Sequence, residues 1–216
     1  MTSKKAVLFD FDGTLADTAA DLCTAVNRLR RDHGMPGLAP EKVRPYASAG
    51  ARGLLRVGFG LEPKDAEYAA MRESFLAFYE EKVCVQTRLF PGIPELLEKL
   101  ASRSIRWGIV TNKATRFTEK IIEKLRLRPD CVVCGDSTPH LKPHPASLIQ
   151  AAGQLKVSSK DCVYVGDDMR DIQAARAAGM RAIAVAYGYH GADNDGPHTW
   201  NADAVIAHPL DVIDHL

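Results

Sequence analysis

The sequence predicts an α/β fold, a doubly wound, Rossmann-like parallel sheet with helices on both faces, interrupted after its first strand by an all-helical cap. Two observations carry this. From Leu89 to Ala186 short apolar runs alternate with longer segments of helical periodicity, the pattern of a parallel sheet built from strand and helix units. Between Asp17 and Cys84 no strand pattern occurs, and apolar residues recur at helical spacing instead. A chain of 216 residues has room for both parts: a core of residues 1–15 and 87–216, and a helical cap of residues 16–86.

The first strand is the apolar run Ala6-Val7-Leu8-Phe9, which continues into Asp10-Phe11-Asp12-Gly13-Thr14. Leu22, Val26 and Leu29 mark a helix, as do Met71, Phe75, Phe78 and Tyr79. Gly34-Met35-Pro36-Gly37 and Gly60-Leu61-Glu62-Pro63 break the insertion into separate helices. Beyond it the sequence predicts a helix over 91–102, a strand over 106–111, a helix over 114–125 and a strand over 131–134. A helix over 145–155, a strand over 162–165, a helix over 170–178 and a strand over 181–186 follow. Ala204-Val205-Ile206 offers one last short strand.

Composition excludes several classes. The formal charge of +1 disfavours a nucleic-acid binder. No apolar stretch reaches the roughly 18 residues of a membrane span, and Met1 to Lys5 leads into the first strand with no secretory segment. A soluble, cytoplasmic protein is expected. Five cysteines at irregular spacing suit a reducing compartment better than a disulfide framework. Cys131-Val132-Val133-Cys134 has the spacing of half a zinc site, but it lies in a strand pattern with no second pair, so a structural role is expected.

The chemistry concentrates where strands end. Period-two alternation puts Asp10 and Asp12 on one side of the first strand at its C-terminal end, where open parallel sheets bind ligands. Two such carboxylates can attract a hard cation together, or one can act as nucleophile while the other moves protons. Thr111-Asn112-Lys113 leaves the next core strand at the same edge, and Lys142 sits in the proline-stiffened Leu141-Lys142-Pro143-His144-Pro145. Val165-Gly166-Asp167-Asp168-Met169-Arg170-Asp171 brings three acids off a further apolar strand.

These four segments, in this order, resemble the haloacid dehalogenase-like phosphohydrolases over essentially the whole chain. The resemblance implies that Asp10 attacks phosphorus and forms an aspartyl phosphate, while Asp12 protonates the leaving oxygen and then activates water. It implies Mg²⁺ held by Asp10, the Asp12 main-chain carbonyl and Asp167, with Mn²⁺ as an alternative ion. Asp171 is a ligand through water or a partner of Lys142, and Asp168 falls at a variable position. Thr111 and Asn112 cradle the phosphoryl oxygens, and the Lys142 ammonium offsets the carboxylate and phosphate charge. In the cap, Arg52 within Ser48-Ala49-Gly50-Ala51-Arg52-Gly53 can meet a substrate carboxylate.

Asp12 favours phosphate esters over haloacids or phosphonates, since an alkoxide leaving group needs a proton. The motif Leu89-Phe90-Pro91-Gly92 is similar to the phosphoglycolate phosphatase group. Tyr187-Gly188-Tyr189 with Asn201-Ala202-Asp203 resembles the N-acetylmuramic acid 6-phosphate phosphatases. The expected partner is therefore a small phosphate ester that carries a carboxylate. A phosphohexose mutase and a catalytically idle binding protein on the same fold remain alternatives.

Overall fold

The computed structural model describes residues 5–191 and 195–216; the lead expected before the first strand, residues 1–4, lies outside them. Strand β1 (Ala6–Phe9) is buried along its whole length. Its alternation sends Val7 and Phe9 into one apolar cluster and Ala6 and Leu8 into another, so both faces of the strand are covered. The same division holds for β4 (Arg106–Val110), with Ile109 and Val110 in opposite clusters, and for β6 (Cys162–Gly166), with Val165 and Tyr164.

With β5 (Cys131–Val133), β7 (Arg181–Val185) and β8 (Ala204–Ile206) these form a six-stranded sheet in the order β5-β4-β1-β6-β7-β8. Every pairing is parallel. Helices α5 (Ile93–Ser102), α6 (Thr115–Lys124), α7 (Ala146–Leu155) and α8 (Met169–Ala177) make the crossovers. The alternation read from the sequence is thus observed strand by strand, including β8. Boundaries shift by one or two residues: α5 starts at Ile93 because Gly92, at φ +91°, still belongs to the turn.

Between the first and second core strands the chain forms α1 (Ala19–Asp32), α2 (Pro40–Val43), a 3₁₀ turn over Arg44–Ala49, α3 (Gly50–Phe59) and α4 (Tyr68–Glu81). Buried Arg30 ties α1 to the next elements, its Nε donating to Pro36 O at 2.8 Å and its Nη1 to Gly58 O. Two short strands carry the chain in and out. β2 (Ala16–Asp17) pairs antiparallel with β3 (Arg88–Leu89), matching Ala16 to Leu89 and Asp17 to Arg88. A two-residue strand has no periodicity to read, and the sequence reading passed over it.

Where the chain enters α1, Thr18 supplies no side-chain cap. Tyr189, on the loop after β7, takes that role: its hydroxyl accepts the N–H of Thr18 at 2.7 Å and of Ala19 at 3.0 Å, and donates to Asp17 Oδ1 at 2.9 Å. On the return path, buried Asp21 accepts from the N–H groups of Val85, Gln86 and Thr87 and from the Thr87 hydroxyl at 2.6 Å. The five cysteines are free thiols. Burial pushes Cys131 up to about 12, which opposes thiolate chemistry at the Cys131–Cys134 pair. Among the described residues no helix is long and apolar enough to cross a membrane.

Candidate active site at the carboxyl edge of the sheet

Pairing with β6 continues one residue past β1, the Asp10 N–H donating to Val165 O at 2.9 Å. The chain then turns sharply, as the N–H groups of Leu15 and Ala16 converge on Phe11 O at 3.1 and 2.9 Å. Gly13 makes the turn possible. Its φ is +84°, and a Cβ there would stand 2.1 Å from Asp167 Oδ2. The turn therefore lies directly against the acid delivered by β6.

Asp167 is fully buried. Its Oδ2 accepts from the Tyr189 N–H at 2.9 Å and from Ser48 Oγ at 3.0 Å, and its Oδ1 from Thr14 Oγ1 at 3.3 Å. Asp10, Asp167 and Asp171 each offer a carboxylate oxygen within 4.8 Å of the others'. Burial pushes Asp10 up to about 7, against the pull of Lys142 and with the help of Asp171. Burial, followed by Asp10 and Asp171, raises Asp167 well above the usual carboxylate range.

Lys142 is the cation of this cluster. Its buried ammonium lies 2.8 Å from Asp10 Oδ1 and 2.7 Å from Asp171 Oδ1, and also donates to Tyr164 OH at 2.8 Å and Val110 O at 3.1 Å. The approach to Asp10 is close but lacks hydrogen-bond geometry, so Oδ1 is left without a directed donor. Fully ionised, the three carboxylates would outweigh the one ammonium by two charges, and a divalent cation with oxygen ligands fits such a set.

Asp12 has a lysine of its own. Lys113 Nζ lies 2.9 Å from Oδ1 and 3.1 Å from Oδ2, and the Thr18 hydroxyl also donates to Oδ1. The paired acid raises the Lys113 ammonium above its ordinary range despite burial. The sequence reading placed Lys113 at this edge without giving it a function. The clue was available: the residue follows Thr111 and Asn112 directly, and a second, partly buried acid at this edge needs a counter-charge.

The other expected residues divide. Thr111 is buried on the cavity wall, its hydroxyl accepting the Lys113 N–H at 3.1 Å. It does not cap α6, whose N-cap is Ala114. Asn112 lines the cavity too, but both ends of its carboxamide hold the Lys142 main chain, at 2.8 and 3.0 Å. Asp171 pairs with Lys142, while Asp168 caps α8 and binds Arg170 at 2.8 and 2.9 Å. Arg52 stands at the cavity wall with its side chain 68% exposed, 3.5 Å from Glu62.

The cavity above the carboxylates measures about 370 Å³. Asp10, Asp12 and Lys142 line it from the sheet edge, and Tyr68, Arg72 and Phe75 from α4. Two links tie the helical segment to the core across it. The Arg170 guanidinium donates to Ser48 O at 2.9 Å beside the Ser48–Asp167 bond. Separately, Glu80 of α4 meets Arg116 and Lys120 of α6 at 3.2 and 2.8 Å. Tyr79 OH is buried on α4 with no hydrogen-bond partner, and Lys113 Nζ stands 4.8 Å from its ring centre.

The family model described as haloacid dehalogenase-like hydrolase matches residues 7–185. A Pseudomonas aeruginosa protein named N-acetylmuramic acid 6-phosphate phosphatase is 41% identical over 98% of this chain and 94% of its own. A Xanthomonas campestris protein named phosphoglycolate phosphatase is also 41% identical, over 97% of this chain and 95% of its own. A crystal structure from Haemophilus somnus, described as a predicted phosphoglycolate phosphatase, superposes with a TM-score of 0.86. It is 28% identical and covers 100% of this chain and 99% of its own.

Proposed function

We propose, given that this chain belongs to the haloacid dehalogenase-like hydrolase family and is a phosphatase, that it hydrolyses a carboxylate-bearing phosphate monoester, a phosphorylated sugar acid in preference to phosphoglycolate. The size of the cavity carries this reading. The two similar relatives stand equally near in identity, so their names do not choose between the substrates. A cavity of about 370 Å³ with aromatic residues on one wall falls in the range of sites that enclose ring-bearing ligands. A two-carbon acid would leave most of it to water.

The proposed mechanism assigns each group one task. Asp10 is the nucleophile: a carboxylate oxygen forms a bond to phosphorus as the bond from phosphorus to the ester oxygen breaks. Lys142, 2.8 Å from Asp10 Oδ1, favours the charged form of the carboxylate that this step needs. Asp12 gives the departing alkoxide its proton, then takes one from a water that attacks the aspartyl phosphate and releases inorganic phosphate. Lys142 holds Asp10 and offsets charge on the phosphoryl oxygens, which Thr111 also contacts.

Asp10, Asp167 and the Asp12 main-chain carbonyl would hold Mg²⁺, with Asp171 beside them. When bound, the ion supplies positive charge to the phosphoryl group. The helical segment acts as a cap that closes the cavity over the ester, its Ser48 loop resting on Asp167. Phosphate release from N-acetylmuramic acid 6-phosphate and from 2-phosphoglycolate, measured side by side with Mg²⁺, tests the substrate reading. A higher kcat/KM on the sugar acid is expected; a clear preference for phosphoglycolate overturns it.

A further inference from the structure

We infer that Arg72 on α4 reads the substrate carboxylate, an inference that rests on the proposed acidic ester and goes beyond it in naming the residue and the span. Tyr68, Arg72, Phe75 and Tyr79 follow one another at intervals of four, three and four residues, so they form one face of α4, and all four line the cavity. The face alternates aromatic surface with a single cation.

The other guanidinium groups lining the cavity are engaged. Arg52 meets Glu62 at 3.5 Å, Arg116 meets Glu80 at 3.2 Å, and Arg170 holds Asp168 at 2.8 Å. Arg72 has no carboxylate partner among the described residues. An arginine that faces a cleft unpaired can take an incoming carboxylate through two parallel hydrogen bonds without first breaking a bond of its own.

The helix also sets a length. Tyr79 marks the catalytic end, since its ring lies beside the lysine that pairs with Asp12. Arg72 stands seven residues away, about 10 Å along the axis at roughly 1.5 Å per residue. In a two-carbon phospho-acid the phosphorus and the carboxyl carbon are three bonds apart, under about 5 Å at ~1.5 Å per bond. A sugar ring between phosphate and carboxylate spans the interval. Its faces would lie against Phe75 and Tyr68.

The test compares the sugar acid phosphate with its carboxyl methyl ester, which keeps the shape and removes the charge. The wild type is expected to favour the acid, and Arg72→Ala to lose roughly ten- to a hundredfold in kcat/KM on the acid while treating acid and ester alike. Arg72→Lys should restore part of the preference, and the loss on p-nitrophenyl phosphate, which has no carboxylate, should be smaller than the loss on the acid. Equal losses on every phosphate, an acid preference that survives in Arg72→Ala, or loss of that preference in Arg52→Ala would overturn the assignment. A wild type that releases phosphate from p-nitrophenyl phosphate but from neither sugar substrate refutes the substrate reading itself.

Discussion

Lys113 Nζ lies 2.9 Å from Asp12 Oδ1, so the second acid of the first strand is held by a buried lysine as closely as Lys142 holds Asp10. Lys113→Met keeps the volume and leaves the Asp12 carboxylate facing a low-dielectric wall. Breaking such a pair from one side costs about 3 kcal/mol, or roughly 6–12 °C in Tm for a chain of this size. Thermal unfolding and phosphate release should both fall. If neither changes, the ion pair is inert.

Replacing the proposed nucleophile should abolish turnover without unfolding the chain. Asp10→Asn removes the attacking charge and keeps the shape, so activity should vanish while circular dichroism stays unchanged. Asp12→Asn should lose about 10²–10⁴-fold, the usual weight of acid–base catalysis. Full activity in Asp10→Asn would sink the mechanism.

Cation binding should depend on pH with a definite sign. Asp10 rises from its ordinary 3.8 to about 7, so below neutrality it carries a proton that a divalent ion must displace. Mg²⁺ affinity, followed by calorimetry, should increase between about pH 5 and 7 and then level off, with protons released on binding. Chelated protein should show the opposite trend in stability from this group. The folded state binds the proton more tightly than the unfolded chain, so stability falls as pH rises from about 4 through 7. An affinity that is flat across that window contradicts the assignment of Asp10 as a ligand.

Tyr189→Phe should loosen the entry to α1. The substitution strips the acceptor from the Thr18 and Ala19 N–H groups and the donor from Asp17. A loss of about 2 kcal/mol is expected, read as a drop of roughly 4–8 °C in Tm. An unchanged Tm would show that water takes over all three bonds.

Gly13→Ala tests the contact between the turn and the acid of β6. The added methyl would stand 2.1 Å from Asp167 Oδ2 at a φ of +84°, so the carboxylate must move. Mg²⁺ affinity should weaken by roughly 10–100-fold, the range seen when a ligand loses its support. Unaltered affinity would separate Asp167 from the ion.

The sheet was legible because both signals that reveal a parallel strand were strong: Val7, Phe9, Ile109 and Val165 are apolar and regularly spaced, and helical periodicity separates the runs. Asp10, Asp12 and Asp167 stand out for the same reason, since each follows such a run, whereas Lys142 stands out only by its place in the proline-stiffened loop and in the order of the segments. What stayed hidden depends on distant pairing. Nothing near Tyr189 in sequence announces a bond to Thr18, 171 residues away. Asn112 was expected to face the substrate, and its carboxamide holds the Lys142 backbone instead, a choice set by a loop 30 residues on. The two residues of β2 exist only because Arg88 and Leu89 return beside them.

The two ties between the helical segment and the core respond differently to ionic strength. Glu80, Arg116 and Lys120 are partly solvated charges on the side of α4 and α6, and at physiological salt a screening length of about 8 Å already weakens their attraction. The Ser48 wall is joined by a hydroxyl and a main-chain carbonyl, and its contact with Asp167 is short and sheltered. Added salt therefore weakens the Glu80 pairs more than the Ser48 contacts. Of the two ties, the one less sensitive to salt stands on Asp167, the carboxylate proposed to bind the ion.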